Sequence, residues 1–197
     1  MKELFLASQS PRRKMLLEQV GVPFTVFPSD VDETIEPNIN PAEVVQILAA
    51  RKAEHAARQL SEIPSAVVLA ADTIVVLHDQ VLGKPKDRED AFEMLRMLQN
   101  KWHHVMTGIV LIDTATGERL AHVEKTRVLV RPLTPGAIWN YIDSGEPLDK
   151  AGAYGIQGLG ALLVEKLDAC YFNVVGLPIY SVSVMLERFG IKTFLDR

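Results

Sequence analysis

The sequence predicts a mixed α/β fold, and three observations carry that prediction. Apolar runs rich in β-branched residues alternate with segments that open on helix-start signals. Two of those runs, 105–113 and 121–130, flank the turn Thr114-Ala115-Thr116-Gly117 and read as a hairpin. The remaining strands are separated by helices and need crossovers, so both kinds of connection occur in one chain. Two lobes flanking a groove are a natural outcome, and such grooves commonly hold ligands.

In chain order, Leu4-Phe5-Leu6-Ala7 forms a first strand, passes through Ser8-Gln9-Ser10 and enters a helix over 11–20. The Ser10 side-chain oxygen can cap that helix, and Pro11 takes the first helical position, where its missing N–H costs nothing. Gly21-Val22-Pro23 stops it. A short strand over 24–27 leads to the acidic loop Asp30-Val31-Asp32-Glu33-Thr34-Ile35-Glu36. Asn40-Pro41-Ala42-Glu43 supplies a cap, an N1 proline and an acid at N3. The helix it opens runs to about Leu60, with Val44, Ile47, Leu48 and Ala56 near one face. Residues 66–71 and 74–77 are buried-strand material interrupted at Asp72-Thr73, and Val81-Leu82-Gly83-Lys84-Pro85 is a turn. A third helix over 88–98 is capped by Asp87, and a fourth over 135–141 follows the hairpin. The Gly-rich segment 152–160 precedes a strand over 161–166, and 178–189 is the last helix.

The bulk properties narrow the function. The 197 residues carry 48% apolar and 23% charged side chains, ordinary for a globular protein with a real core. A net charge of −4 argues against general nucleic-acid binding, which needs a strongly basic face, but leaves room for a local basic pocket. The single Cys170 excludes an intrachain disulfide, suits a reducing cytoplasm and reads as a small core residue. No apolar run approaches the roughly 20 residues that span a bilayer, and the first is too short for a signal-peptide core. A soluble cytoplasmic chain without membrane or nucleic-acid partners is expected, and a homodimer is compatible with it.

The chemistry concentrates in a few places. A helix N-terminus offers free N–H donors and partial positive charge, and Arg12, Arg13 and Lys14 stand beside this one. Cations there oppose the macrodipole unless an anion sits between them, so a phosphate site is favoured over an ordinary basic first turn. Asp72 lies inside the apolar run Val67-Val68-Leu69-Ala70-Ala71-Asp72-Thr73-Ile74-Val75-Val76, where a carboxylate is costly without partners. It is either a general base or metal ligand, or an acid holding backbone N–H groups at a strand kink. The acidic loop alone is more often solvated than a metal site, yet Glu33 with Asp72 would suffice for Mg²⁺ if the fold joined them. Lys52 by itself reads as a surface lysine, while Lys84, in the rigid turn just after Asp72, is a plausible partner. No P-loop, dinucleotide fingerprint, metalloprotease helix or zinc spacing occurs. His103 and His104 would point to opposite faces of a strand, one structural and one at the surface. Trp102 and Trp139 read as packing residues.

Taken together, Ser8-Gln9-Ser10-Pro11-Arg12-Arg13, Ala71-Asp72-Thr73, Gly83-Lys84-Pro85 and Asp149-Lys150-Ala151-Gly152-Ala153-Tyr154-Gly155-Ile156-Gln157-Gly158 resemble the Maf family of nucleotide pyrophosphatases. The resemblance runs in the family's motif order and implies one domain over residues 1–197. It implies an elongated α/β structure with a deep central cleft, similar to the inosine-triphosphate pyrophosphatases. It also implies hydrolysis of nucleoside triphosphates between the α and β phosphates with Mg²⁺ or Mn²⁺, and a link to arrest of septum formation. By position, Asp72 resembles the family's proton acceptor. Ser8, Arg12 and Arg13 match its phosphate loop, and Glu33, Lys52 and Lys84 match its other charged residues, with Glu33 and Asp72 the metal ligands expected. Arg12, Thr73 and Gln157 fall where the family sets substrate choice, and Ala-Gly-Ala-Tyr-Gly-Ile-Gln-Gly is similar to the subgroup acting on dTTP and UTP. An amide at Gln157 suits a pyrimidine edge, since it offers a donor and an acceptor. Met15 and Asn100-Lys101 depart from the family's usual residues, outside the charged motifs. The rival readings are a nucleotide-binding septation regulator with little catalysis and a pyrophosphatase for modified purines such as 7-methyl-GTP.

Overall fold

The computed structural model describes residues 2–36 and 38–196. Its sheet is mixed, in the order β2-β1-β3-β5-β6-β7 with β4 paired to β3. The strands are β1 (Glu3–Leu6), β2 (Thr25–Val26), β3 (Ala66–Leu77), β4 (Gln80–Leu82), β5 (Trp102–Asp113), β6 (Arg119–Val130) and β7 (Val164–Asp168). The helices are α1 (Pro11–Gln19), α2 (Pro41–Gln59), α3 (Arg88–Leu98), α4 (Pro135–Asp143), α5 (Tyr171–Val175) and α6 (Ile179–Arg188). β1 runs parallel to both β2 and β3, whereas β3–β4 and β6–β7 are antiparallel. No helix is long and apolar enough to cross a membrane among the described residues.

The chain divides into two compact units. The first comprises Met1–Asp72, Thr107–Glu124 and Gly176–Arg197. Its core includes Phe5, Ala7, Val68, Ala70 and Val110 packed with the small residues Ala49, Ala50, Ala53 and Ala56 of α2. The small side chains let α2 lie close to the sheet. At Gly108 of β5 there is no room even for a methyl group, because a Cβ would meet the Val45 carbonyl oxygen at 2.4 Å. Asn40 caps α2 through a bond from the Ala42 N–H, as its sequence predicts.

The second unit comprises Thr73–Met106 and Lys125–Val175. Its core joins Val75, Leu77 and Val105 to Leu95 and Leu98 of α3, Ile138 and Ile142 of α4, and Ala153 and Tyr154 of the Gly-rich segment. Asp87 caps α3 through the Asp90 N–H. Trp139 stacks on Phe92 at 4.8 Å between ring centroids, while Trp102 is partly exposed, with the Arg127 guanidinium 4.6 Å above its ring.

Five local expectations need correction. Ser10 makes no side-chain cap bond; its N–H instead donates to Ser8 Oγ at 3.2 Å. β3 is continuous through Asp72-Thr73, because Asp72 finds a side-chain partner and needs no kink to reach backbone donors. Val81-Leu82 is a short strand, folded back on β3 through His78 and Asp79, both at positive φ. The strand expected over 161–166 begins only at Val164, since Gly158–Leu162 is a 3₁₀ helix. Cys170 is half-buried rather than a core residue, and its backbone N–H donates to Thr126 Oγ1.

His103 is the structural histidine of its pair. It is 2% exposed and its Nε2 lies 2.6 Å from Tyr154 Oη. Burial, with repulsion from His104, lowers its pKa from 6.5 to about 4. Between those values the unfolded chain binds a proton that the folded chain does not. Stability is therefore full above pH 6.5 and falls as the pH drops toward 4, by about 3 kcal/mol. His103→Gln cannot titrate and is expected to flatten this limb of a urea-unfolding pH profile. An unchanged slope in that variant would assign the proton to another group.

Candidate active site

Helix α1 and the loop before it place the basic motif, but its three cations separate. Lys14 is exposed and faces Glu18 one turn on, with 3.7 Å between Nζ and Oε1. Arg12 is half-buried. Arg13 turns inward and is 9% exposed. Its Nε donates to the Gly176 carbonyl at 2.8 Å and its Nη1 to Ser8 Oγ at 3.1 Å. Ser8 is itself buried, so the first strand ends in a hydroxyl fixed by a guanidinium. Burial lowers the Arg13 pKa, Asp72 pulls it back up, Arg12 lowers it again, and Glu33 raises it. That balance ties Arg13 electrostatically to both carboxylates of the site.

The centre of the site is Lys52, on the face of α2 that meets β3. Its Nζ lies 2.6 Å from Asp72 Oδ1 and 2.6 Å from Glu33 Oε1. The Lys52 and Asp72 side chains are only 12% and 11% exposed, while Glu33 is 59% exposed. Lys52 is thus a largely buried residue paired with two carboxylates and not the surface lysine that its helix position alone predicts. Glu33 and Asp72, 39 positions apart in the chain numbering, converge on one point. Both carboxylates are held by the Lys52 ammonium; as hard oxygen donors they are of the kind Mg²⁺ or Mn²⁺ take, one or two at a time, with water and phosphate oxygens completing the shell.

The acidic loop also becomes ranked. Asp32 accepts the Thr34 N–H at 2.8 Å, an Asx-turn that uses its carboxylate on its own backbone. Hydrogen bonds from Thr34 lower the Asp32 pKa despite a small cost of burial, with help from Arg51. Glu36 is exposed. Sequence reasoning missed Arg51, whose Nη1 donates to the carbonyls of Asp32 and Thr34 at 3.0 and 2.7 Å, on either side of Glu33. Its position next to Lys52 was the available signal: consecutive basic residues on α2 hold the loop backbone and the loop carboxylate.

Ser8, Arg13, Glu33, Lys52 and Asp72 are therefore brought together in the first unit, with Arg12 in the same turn of α1. Thr73, Lys84 and Gln157 belong to the second. Thr73 follows Asp72 on β3, so their side chains leave opposite faces of the strand. Lys84 is exposed, directly after the β3–β4 hairpin, and Gln157 is half-buried. The segments that carry Lys84 and Gln157 are joined, since the Gly152 N–H donates to the Gly83 carbonyl at 2.9 Å. Gly152 has φ +66°, and a Cβ there would press on Val75 at 3.0 Å.

Several known proteins are similar to this chain over nearly its whole length. A protein of Acetivibrio thermocellus named dTTP/UTP pyrophosphatase is 48% identical over 196 residues, covering 98% of each chain. Proteins of the same name from Desulforamulus reducens and Bdellovibrio bacteriovorus are 46% and 45% identical, over 98% and 94% of this chain and 99% and 98% of theirs. Among solved structures, the Ham1 protein of Staphylococcus aureus gives a TM-score of 0.47 at 18% identity, covering 66% of this chain and 72% of that one. The model of the Maf-like proteins matches residues 3–189, a span that holds all the charged motifs above, and the chain belongs to the Maf family.

Proposed function

We propose that this chain hydrolyses nucleoside triphosphates, dTTP and UTP foremost, to the nucleoside monophosphate and pyrophosphate. The observation that carries the reading is the ion-paired trio Glu33, Lys52 and Asp72 beside the buried Arg13. A protein that only held a triphosphate would favour lysine and arginine over two carboxylates at one point. The relatives named dTTP/UTP pyrophosphatase, 44–48% identical, support the substrate class.

In this reading Asp72 accepts a proton from the attacking water. The water oxygen bonds to the α phosphorus, the bond to the bridging oxygen of the β phosphate breaks, and pyrophosphate leaves with that oxygen. Arg13, held by Ser8 and Gly176, presents a cation that does not reorganise during the reaction. Arg12 and Lys84 contribute charge toward the phosphates, and Arg12, Thr73 and Gln157 select the nucleotide. A divalent cation held by Glu33 and Asp72 would neutralise phosphate charge. Residues 1–197 act as one Maf-like domain, in the cytoplasm.

The test is pyrophosphate release from dTTP, UTP, CTP, GTP and 7-methyl-GTP with Mg²⁺ or Mn²⁺, and again after chelation. Release from dTTP and UTP that chelation abolishes is the expected result. Release from none would favour a nucleotide-binding regulator, and preference for 7-methyl-GTP would overturn the assignment of Gln157.

A further inference from the structure

The connection between β2 and α2 is irregular: residues 27–36, in the first unit, form neither strand nor helix. Such a stretch must lose backbone freedom before any side chain on it can keep one position. Yet Glu33, within it, reaches Lys52 Nζ at 2.6 Å while 59% exposed. Water screens an ion pair as open as this, so the pair by itself is too weak to order the loop. Restraint on the backbone has to come from elsewhere.

Helix α2 supplies it. The Arg51 Nη1 group carries two N–H donors, and it donates to the Asp32 carbonyl at 3.0 Å and to the Thr34 carbonyl at 2.7 Å. Those carbonyls belong to the residues before and after Glu33, so the chain is tied to the helix on both sides of it. The Asp32 carboxylate tightens the same turn by accepting the Thr34 N–H at 2.8 Å. One turn further along α2, His55 Nδ1 lies 3.0 Å from Ser29 Oγ and tethers the entry to the loop. Bonds from a guanidinium are charge-assisted and stronger than neutral ones, and the group stays charged at any working pH. The Glu33 side chain is fixed as well as its backbone. Its carboxylate ends on Lys52, the residue after Arg51, and the same Nζ binds Asp72 at 2.6 Å.

We propose that Arg51 is a positioning residue: by pinning the Asp32 and Thr34 carbonyls to α2, it holds the Glu33 carboxylate on Lys52, one lysine away from Asp72. This rests on the reading that Glu33 belongs to the active site. Arg51 acts through Glu33, and its removal leaves Lys52 paired with Asp72 alone.

The experiment measures pyrophosphate release from dTTP in Arg51→Ala, Arg51→Lys, Glu33→Ala and the double variant, together with backbone amide exchange in each protein. Arg51→Ala is expected to lower kcat/KM about tenfold, through misplacement of one group of the site. Exchange over residues 31–35 should become faster in that variant, with α2 and β3 as protected as in the parent. Arg51→Lys keeps a cation with N–H donors at this position and recovers part of the loss. The double variant is expected to be no slower than Glu33→Ala, because there is then no carboxylate for Arg51 to place. Losses that multiply in the double variant would mean that Arg51 serves another group and would overturn the proposal. Parent activity in Arg51→Ala, beside a loss in Glu33→Ala, would overturn the proposal alone. Parent activity in Glu33→Ala would remove Glu33 from the site and both assignments would fall. Faster exchange throughout the first unit in Arg51→Ala would reduce Arg51 to a support of the fold.

Discussion

Asp72→Asn is expected to cut pyrophosphate release from dTTP and UTP by about a thousandfold, the scale of losing a positioned general base. Asparagine has nearly the same shape as aspartate and can still accept a hydrogen bond from Lys52, but it cannot take a proton from water. The fold should survive, because β3 is continuous and apolar around this position and Lys52 retains its pairing with Glu33. Matching circular dichroism and thermal midpoints for the two proteins would establish this, and single-turnover rates then isolate the chemical step. Turnover near that of the parent would remove Asp72 from the role of base and return it to holding Lys52 in place.

Lys52→Met carries the second large effect, about a hundredfold in kcat/KM together with a loss of about 2 kcal/mol in unfolding free energy. Methionine preserves the length and the apolar stem on α2 while removing the charge. The stability loss comes from Asp72, whose side chain is 11% exposed and loses its cation, rather than from Glu33, which is 59% exposed and screened by solvent. Combining Lys52→Met with Asp72→Asn should recover much of that stability but none of the activity, because the uncompensated carboxylate disappears along with the proposed base. Urea titrations of the four proteins give the coupling directly. Additive losses would show that the 2.6 Å pair is energetically idle.

The legibility of this protein in its sequence follows the range of the forces involved. The caps at Asn40 and Asp87 are decided within three residues, and both form as their sequences predict. The opposite faces of His103 and His104 follow from the two-residue repeat of a strand. Errors arose where a distant partner changed a local preference. Residues 161–163 looked like the start of a strand, yet Glu146 captures the Leu159 and Gly160 N–H groups and the chain coils there before β7 begins.

The site divides along the same line. By itself the sequence determined which residue types are available: a carboxylate in an apolar strand, basic residues at the head of α1, an acidic loop, and a glycine-rich segment carrying one amide. Their motif order was enough to resemble a family. Tertiary structure alone decided that Lys52, twenty positions from Asp72, neutralises it, that Glu33 meets the same lysine, and that Glu146 and Tyr141 hold the backbone around Gln157. The physical reason is that a charge or an amide gains its role from what desolvates and pairs with it. Those partners lie far away in the chain, and only folding brings them within a hydrogen bond's length.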